Sequence, residues 1–199
     1  MSPNERNTEK AFERSFEMGL GTETDLRDVC GKIVISHDMP NGQEITFEDL
    51  LEIMRGRNLP LALNIKADGL INEILRLLQK YKHTNYFTFD MSIPDMVVQL
   101  KAKAKVFTGL SDILTTPVLL DKSCGVWLDA FNGEWYDIEL IDKLLGKNKS
   151  VCIVSSDLHG RNPAKQWQML KQYKNIQTPN LFLCTDNPKE ALTYFDGAL

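Results

Sequence analysis

The hydrophobic positions of this chain change period along its length. In "NTEKAFERSFEMG" (7–19), Ala11, Phe12, Ser15 and Phe16 recur three and four apart, which is one face of a helix; Asn7 or Thr8 caps its start and Gly19 supplies a stop. Around Glu23 to Asp25, and again from Lys32 to His37, the pattern becomes extended, with a short turn at 29–31 between the two runs. Thr46 with Asp49 makes a capping-box-like start for "TFEDLLEIMRG", which Gly56 ends. "LPLALNIKADG" is then an almost unbroken apolar strand, and "LINEILRLLQKY" is an amphipathic helix. The alternation continues through "YFTFD", "PDMVVQLKAK", "KVFTG", a weak segment at 110–121, "GVWLDAF", "DIELIDKLLGK", "SVCIVSSD", "AKQWQMLKQY", "LFLCTD" and "PKEALTYF".

Strands that are apolar along most of their length and alternate with helices predict a parallel sheet covered by helices on its outside. Almost every strand finishes in a polar residue: Asp25, His37, Lys66, Asp90, Thr108, Asp129, Ser155 and Asp186. Polarity collected at one rim fits a TIM-type (β/α)8 barrel, whose active site is built from the C-terminal ends of several strands. A doubly wound open sheet often carries a Gly-rich phosphate loop, and neither G-x-G-x-x-G nor a Walker loop occurs here. Parallel strands are expected to begin near residues 21, 60, 86, 104, 125, 150 and 181, which is seven where a closed barrel takes eight. The expected fold is therefore an α/β barrel, one domain over 1–199, incomplete because the first strand is absent. A barrel opened there exposes a sheet edge through which the chain would self-associate.

Composition narrows the partners. With 199 residues, 43% hydrophobic and 25% charged, the chain has the make-up of a soluble globular domain. A net charge of -4 disfavours an electrostatic nucleic-acid partner. No apolar run approaches bilayer-spanning length and "MSPNERNTEKAF" lacks a signal-peptide core, so no integral membrane segment is expected. The cysteines (Cys30, Cys124, Cys152, Cys184) form no C-x-x-C pair and read as small core residues of a reduced compartment; the expected location is cytoplasmic.

Candidate chemistry concentrates in "GTETDLRDVCGKIVISHD" (21–38). Glu23 and Asp25 lie two apart on a strand, hence on one face with Cα atoms roughly 7 Å apart, so both carboxylates reach one cation. The competing reading is an edge strand with a wet face.

The motifs "NTEKAFERSFEMG", "ETD", "ISHD" and "NIK" at a strand end resemble the glycerophosphodiester phosphodiesterases and the related phosphatidylinositol-specific phospholipase C-like enzymes, from about Asn7 to "CTDNPKEAL". The resemblance implies a TIM barrel that cleaves a small phosphodiester with a divalent cation, Mg2+ or Ca2+. It matches Asn7 and Thr8 to the family's helix start, Glu23 and Asp25 to its metal-binding pair, His37 to its second histidine and Lys66 to its lysine. Two departures stand out. The family's His-Arg-Gly strand end has no counterpart here, and Asn64 occupies the place of the third acidic ligand. An amide oxygen still binds a hard cation, but without a formal charge it holds Mg2+ or Ca2+ more weakly. Only "DMPNGQEI" separates His37 from Thr46, where the family often inserts a small module.

In the chemistry so implied, a cation on Glu23, Asp25 and Asn64 neutralises phosphoryl oxygens, and Lys66, on the strand face of Asn64, adds a point charge as negative charge builds. Two groups must move protons, and His37 fills one role only. Missing its partner histidine, the chain is either a hydrolase whose upstream strand is lost from the sequence as given, or a non-catalytic metal- or phosphate-ligand-binding barrel. Elsewhere, His83 follows a helix and is expected to be surface structure. "SSDLHGR" places His159 in a loop after a strand, where it contacts substrate or is simply solvated beside a loop cap made by Asp157. Asp129 and Asp186 at strand ends read as substrate contacts or as helix caps, and Trp127, on the face of Asp129, as substrate platform or packing.

Overall fold

The computed structural model describes residues 7–196. The chain divides into two compact units, Met1–Val106 and Phe107–Leu199. In the first, α1 (Glu9–Glu17) is capped by Thr8, whose side chain accepts from the Ala11 N–H, and it buries the four predicted residues Ala11, Phe12, Ser15 and Phe16. Gly19, at φ +74, ends it as expected. Then follow β1 (Thr22–Val29), β2 (Lys32–Ile35), α2 (Phe47–Ile53), β3 (Leu61–Ile65), α3 (Ile71–Lys80), β4 (Tyr86–Phe89) and α4 (Ile93–Lys101). The Thr46–Asp49 capping box at α2 is present in both directions.

The sheet of this unit runs β2-β1-β3-β4. Strands β1, β3 and β4 are parallel, and β2 returns antiparallel along β1 over Leu26–Val29. The parallel ladder of β1 ends at Leu26 beside Ile65, so Asp25 stands at its C-terminal margin, register partner of Asn64. One face carries Leu26, Leu61 and Leu63, all fully buried. The other carries Glu23, Asp25 and Asn64 next to the buried rings of Phe87 and Phe89.

The second unit contains β5 (Phe107–Leu110), β6 (Gly125–Leu128), α5 (Ile138–Leu145), β7 (Ser150–Val154), α6 (Ala164–Lys171), β8 (Leu181–Cys184) and α7 (Pro188–Phe195), with a 3-10 turn at Ser156–His159 after β7. Its sheet, β5-β6-β7-β8, is wholly parallel. Val126, Leu128, Val151 and Ile153 face a core completed by Ile141, Trp167 and Phe195. No helix spans the weak segment before β6.

The α/β architecture and the parallel strands agree with the sequence pattern. Closure of a barrel does not appear: among the described residues the ladders make two four-stranded sheets, and part of the outer edge of β1 is taken by its own antiparallel hairpin strand. No helix among the described residues is long and apolar enough to cross a membrane.

His83 departs from expectation. Its side chain is buried rather than on the surface, with Nε2 bonded to the Asn85 carbonyl at 3.0 Å, and burial lowers its pKa. A histidine kept neutral in the fold takes its proton more readily when unfolded. Its contribution to stability is therefore complete above the unfolded value near 6.5 and declines as pH falls through that value toward the lower folded one. Urea unfolding at stepped pH checks this: stability drops below pH ~6.5, and the drop is smaller in His83→Gln.

Candidate functional site

In the first unit, three of the expected residues converge. Lys66 Nζ lies 3.3 Å from Asp25 Oδ1, and the pair is mostly buried, with side-chain exposures of 23% and 10%. Neighbouring parallel strands deliver them: the Lys66 N–H donates to the Leu26 carbonyl at 3.0 Å, which places Lys66 two residues past the Asp25–Asn64 pair, on the face of Asn64. Asn64 Nδ2 donates to Asp90 Oδ2 at 3.2 Å, while its Oδ1 is buried and accepts no hydrogen bond. Glu23 lies two residues before Asp25 on the same strand face and is half-buried.

These donors suit a hard cation. Two carboxylates and an orphaned amide oxygen share one face, and oxygen ligands of this kind are those Mg2+ and Ca2+ take. Among the described residues no three His, Cys, Asp or Glu side chains are grouped to hold an ion, so the amide of Asn64 is the third donor that such a site would draw on.

His37 is not drawn into this group. Its ring is 71% exposed, and Nδ1 pairs with Asp38 Oδ1 at 3.0 Å. Its backbone, by contrast, is held: Arg27 Nε and Nη2 donate to the His37 carbonyl at 3.2 and 3.1 Å, and Nη1 donates to the Lys66 carbonyl at 3.4 Å. Arg27 thereby ties the loop after β2 to the end of β3. Both Arg27 and Asp90 lie outside the expected set, although alternation from Asp25 and adjacency to Phe89, the register partner of Asn64, point to them.

In the second unit, Asp129 and His159 meet, with Nε2 and Oδ1 2.6 Å apart. The same Oδ1 accepts the Ala130 N–H at 2.7 Å, and α5 is capped by Asp137 instead. The His159 ring packs on Phe131, 5.1 Å between centroids. Trp127 is buried. Asp186 is half-buried, and its N–H donates to Asp157 Oδ2 at 2.9 Å; that oxygen also accepts from Thr185 and Asn187, so Asp157 is indeed a loop cap. A hydrogen bond from Ser156 holds the Glu134 carboxyl below its usual range.

Solved structures with this architecture exist. A glycerophosphodiester phosphodiesterase from Agrobacterium tumefaciens aligns over 89% of this chain and 90% of its own, at 13% identity and a TM-score of 0.62. A phosphodiesterase from Oleispira antarctica, solved with its product sn-glycerol-3-phosphate, aligns over 96% of this chain and 91% of its own, at 14% identity and a TM-score of 0.66. The fold is that of the glycerophosphodiester phosphodiesterases. No protein-family model matches the sequence, and no curated protein does. At these identities the likeness is one of backbone architecture, and the side chains must carry any assignment of chemistry.

Proposed function

We propose that this chain is a metal-assisted phosphodiester hydrolase of the glycerophosphodiesterase or phosphatidylinositol-specific phospholipase C kind, on a (β/α)8-type scaffold. The observation that supports it most is the buried Asp25–Lys66 pair beside Asn64, whose Oδ1 lacks a partner, at the C-terminal margin of parallel strands in a phosphodiesterase fold. The substrate is a small phosphodiester, in keeping with the glycerophosphate product held by the Oleispira enzyme.

Glu23, Asp25 and Asn64 would hold the divalent cation, Mg2+ or Ca2+, which supplies charge neutralisation at the phosphoryl oxygens. Lys66 places an ammonium where charge builds on those oxygens, and its pairing with Asp25 fixes it there without a phosphate bound. His37 moves a proton. With Nδ1–H directed at Asp38, Nε2 is the atom that accepts it, and the exposed hydrogen bond to Asp38 orients the ring at little energetic gain. The four thiols suit a reducing compartment, and we place the activity in the cytoplasm.

Release of alcohol from a generic phosphodiester in the presence of Mg2+ or Ca2+ tests the reading. His37→Ala is expected to lower kcat by about 10²- to 10⁴-fold. The second reading, a barrel that binds a metal or phosphate ligand without turnover, is favoured by one feature: the His37 ring is exposed and bonded to Asp38 rather than to Asp25 or Lys66. Metal-dependent binding of sn-glycerol-3-phosphate with no hydrolysis would establish that reading in place of the first.

A further inference from the structure

Asn64 is held in the sheet of the first unit with only half of its amide satisfied. The residue is 7% exposed, its Nδ2 donates to Asp90 Oδ2 at 3.2 Å, and its Oδ1 is buried with no hydrogen-bond partner. A buried acceptor left bare is costly, and such an atom calls for a donor or a cation. The orientation of the amide is fixed by Asp90. An ionised carboxylate only accepts hydrogen bonds, so turning the amide over would set two acceptors against each other at 3.2 Å.

Asp90 therefore commits the nitrogen to the β4 side, where Phe89 is the register partner of Asn64, and leaves the oxygen for the face shared with Asp25, the partner on β1. Asp90 stands directly after β4 at φ +60, a left-handed conformation that Asp and Asn tolerate better than most side chains. A neutral amide is a weaker ligand for a hard cation than a carboxylate. Donation of its N–H to a carboxylate polarises the amide and draws negative charge onto the oxygen. Outer groups that bond a ligand in this way fix its orientation and raise its basicity. Among the described residues no three His, Cys, Asp or Glu side chains are grouped to hold an ion, so Asp90 acts through Asn64 and not as a further ligand.

We propose that Asp90 is a positioning residue of the cation site: it turns the Asn64 oxygen toward the ion and lends this neutral ligand part of the charge it lacks. The assignment rests on the cation site of the phosphodiesterase reading. It explains why a buried amide oxygen is left without a donor on the face that carries Glu23 and Asp25.

Isothermal titration calorimetry of the full chain with Mg2+ and with Ca2+, in the absence of substrate, tests this. Asp90→Asn suits the same backbone conformation and removes only the charge; it is expected to weaken binding by about 10- to 100-fold. Asp68→Asn is the control for bulk charge, because the exposed Asp68 carboxylate accepts from Ser92 at 2.7 Å, not from Asn64. It is expected to change the affinity by less than about twofold, as a screened surface charge does. Asn64→Asp combined with Asp90→Asn reverses the hydrogen bond and moves the charge onto the ligand, so the double variant is expected to bind at least as tightly as the wild type. A purely structural Asp90 would give no such rescue. Should Asp90→Asn alone unfold, the double variant decides, and an affinity below wild type overturns the proposal. With the wild type binding either ion, the proposal alone is also overturned by an Asp90→Asn affinity within about twofold of wild type, or by a double variant that binds no better than Asp90→Asn. A loss from Asp68→Asn as large as that from Asp90→Asn overturns it too. A wild type that binds neither ion overturns the cation site of the phosphodiesterase reading and this role together.

Discussion

Asp25→Ala is expected to abolish measurable phosphodiester turnover, a loss of at least about a thousandfold. Asp25 would serve the reaction twice, as an anionic ligand of the cation and as the partner that fixes Lys66, whose Nζ lies 3.3 Å away. Charge stabilisation by a bound cation supplies several kcal/mol of a phosphoryl-transfer barrier, and ~1.4 kcal/mol is tenfold in rate. Asp25→Asn keeps the shape and removes the charge, so it is expected to lose nearly as much. Neither change touches the hydrophobic face of β1, where Leu26 is fully buried, so both variants should retain the native circular dichroism spectrum. Lys66→Met leaves the carboxylates intact and removes only the ammonium, and its loss of rate should be the smaller one. A variant at Asp25 that keeps a tenth of wild-type turnover would show that the charge is not needed.

Gly21→Ala is expected to produce the largest loss of stability from a single methyl group. A Cβ at residue 21 would lie 2.1 Å from the Pro60 carbonyl oxygen and 2.9 Å from its carbon, both backbone atoms that cannot rotate away. That same oxygen accepts the Thr22 N–H at 3.0 Å, the rung that brings β1 and β3 into register. To admit the methyl, the two strands must separate where the ladder begins. Overpacking of this kind costs about 1–3 kcal/mol and occasionally more, and a rigid backbone obstacle belongs at the upper end. Because Asp25 and Asn64 are partners four rungs along, phosphodiester turnover should fall with stability. Gly125→Ala is the control: there the Cβ would meet the Phe107 ring, at 2.3 Å, a side chain that can shift. Urea midpoints for the two variants check the ordering, and a Gly21→Ala chain destabilised by less than Gly125→Ala would contradict it.

Local signals in the sequence carried much of this structure. The Phe12–Phe16 spacing, the Thr46–Asp49 box and the apolar run ending in Asn64 each correspond to an element observed, because each depends on residues within one turn or one strand. Where the outcome depends on distant partners, the pattern misleads. In α4, the apolar Val97 and Val98 are exposed, at 38% and 49%, while the polar Asp95 and Gln99 are buried. They are buried because they bond to each other at 2.7 Å, with Thr88 and Gly69 completing the network. Burial of His83 has the same cause, a partner in the Asn85 carbonyl. Strand alternation brought Asp25, Asn64 and Lys66 to one face, but alternation does not say where a loop residue turns its side chain, and the ring of His37 is held by Asp38. The Asp129–His159 pair spans thirty residues of sequence and follows only from the placing of β6 beside β7.

Chelation followed by metal add-back is the most direct measurement of the proposed chemistry: the rate of alcohol release from a small phosphodiester is followed while the chain is stripped with EDTA and then titrated with Mg2+ or Ca2+. Turnover that vanishes on chelation, returns saturably with one of these ions and fails to return in Asp25→Asn is the expected result. A rate indifferent to chelator, or no turnover at any concentration of either ion, would contradict it.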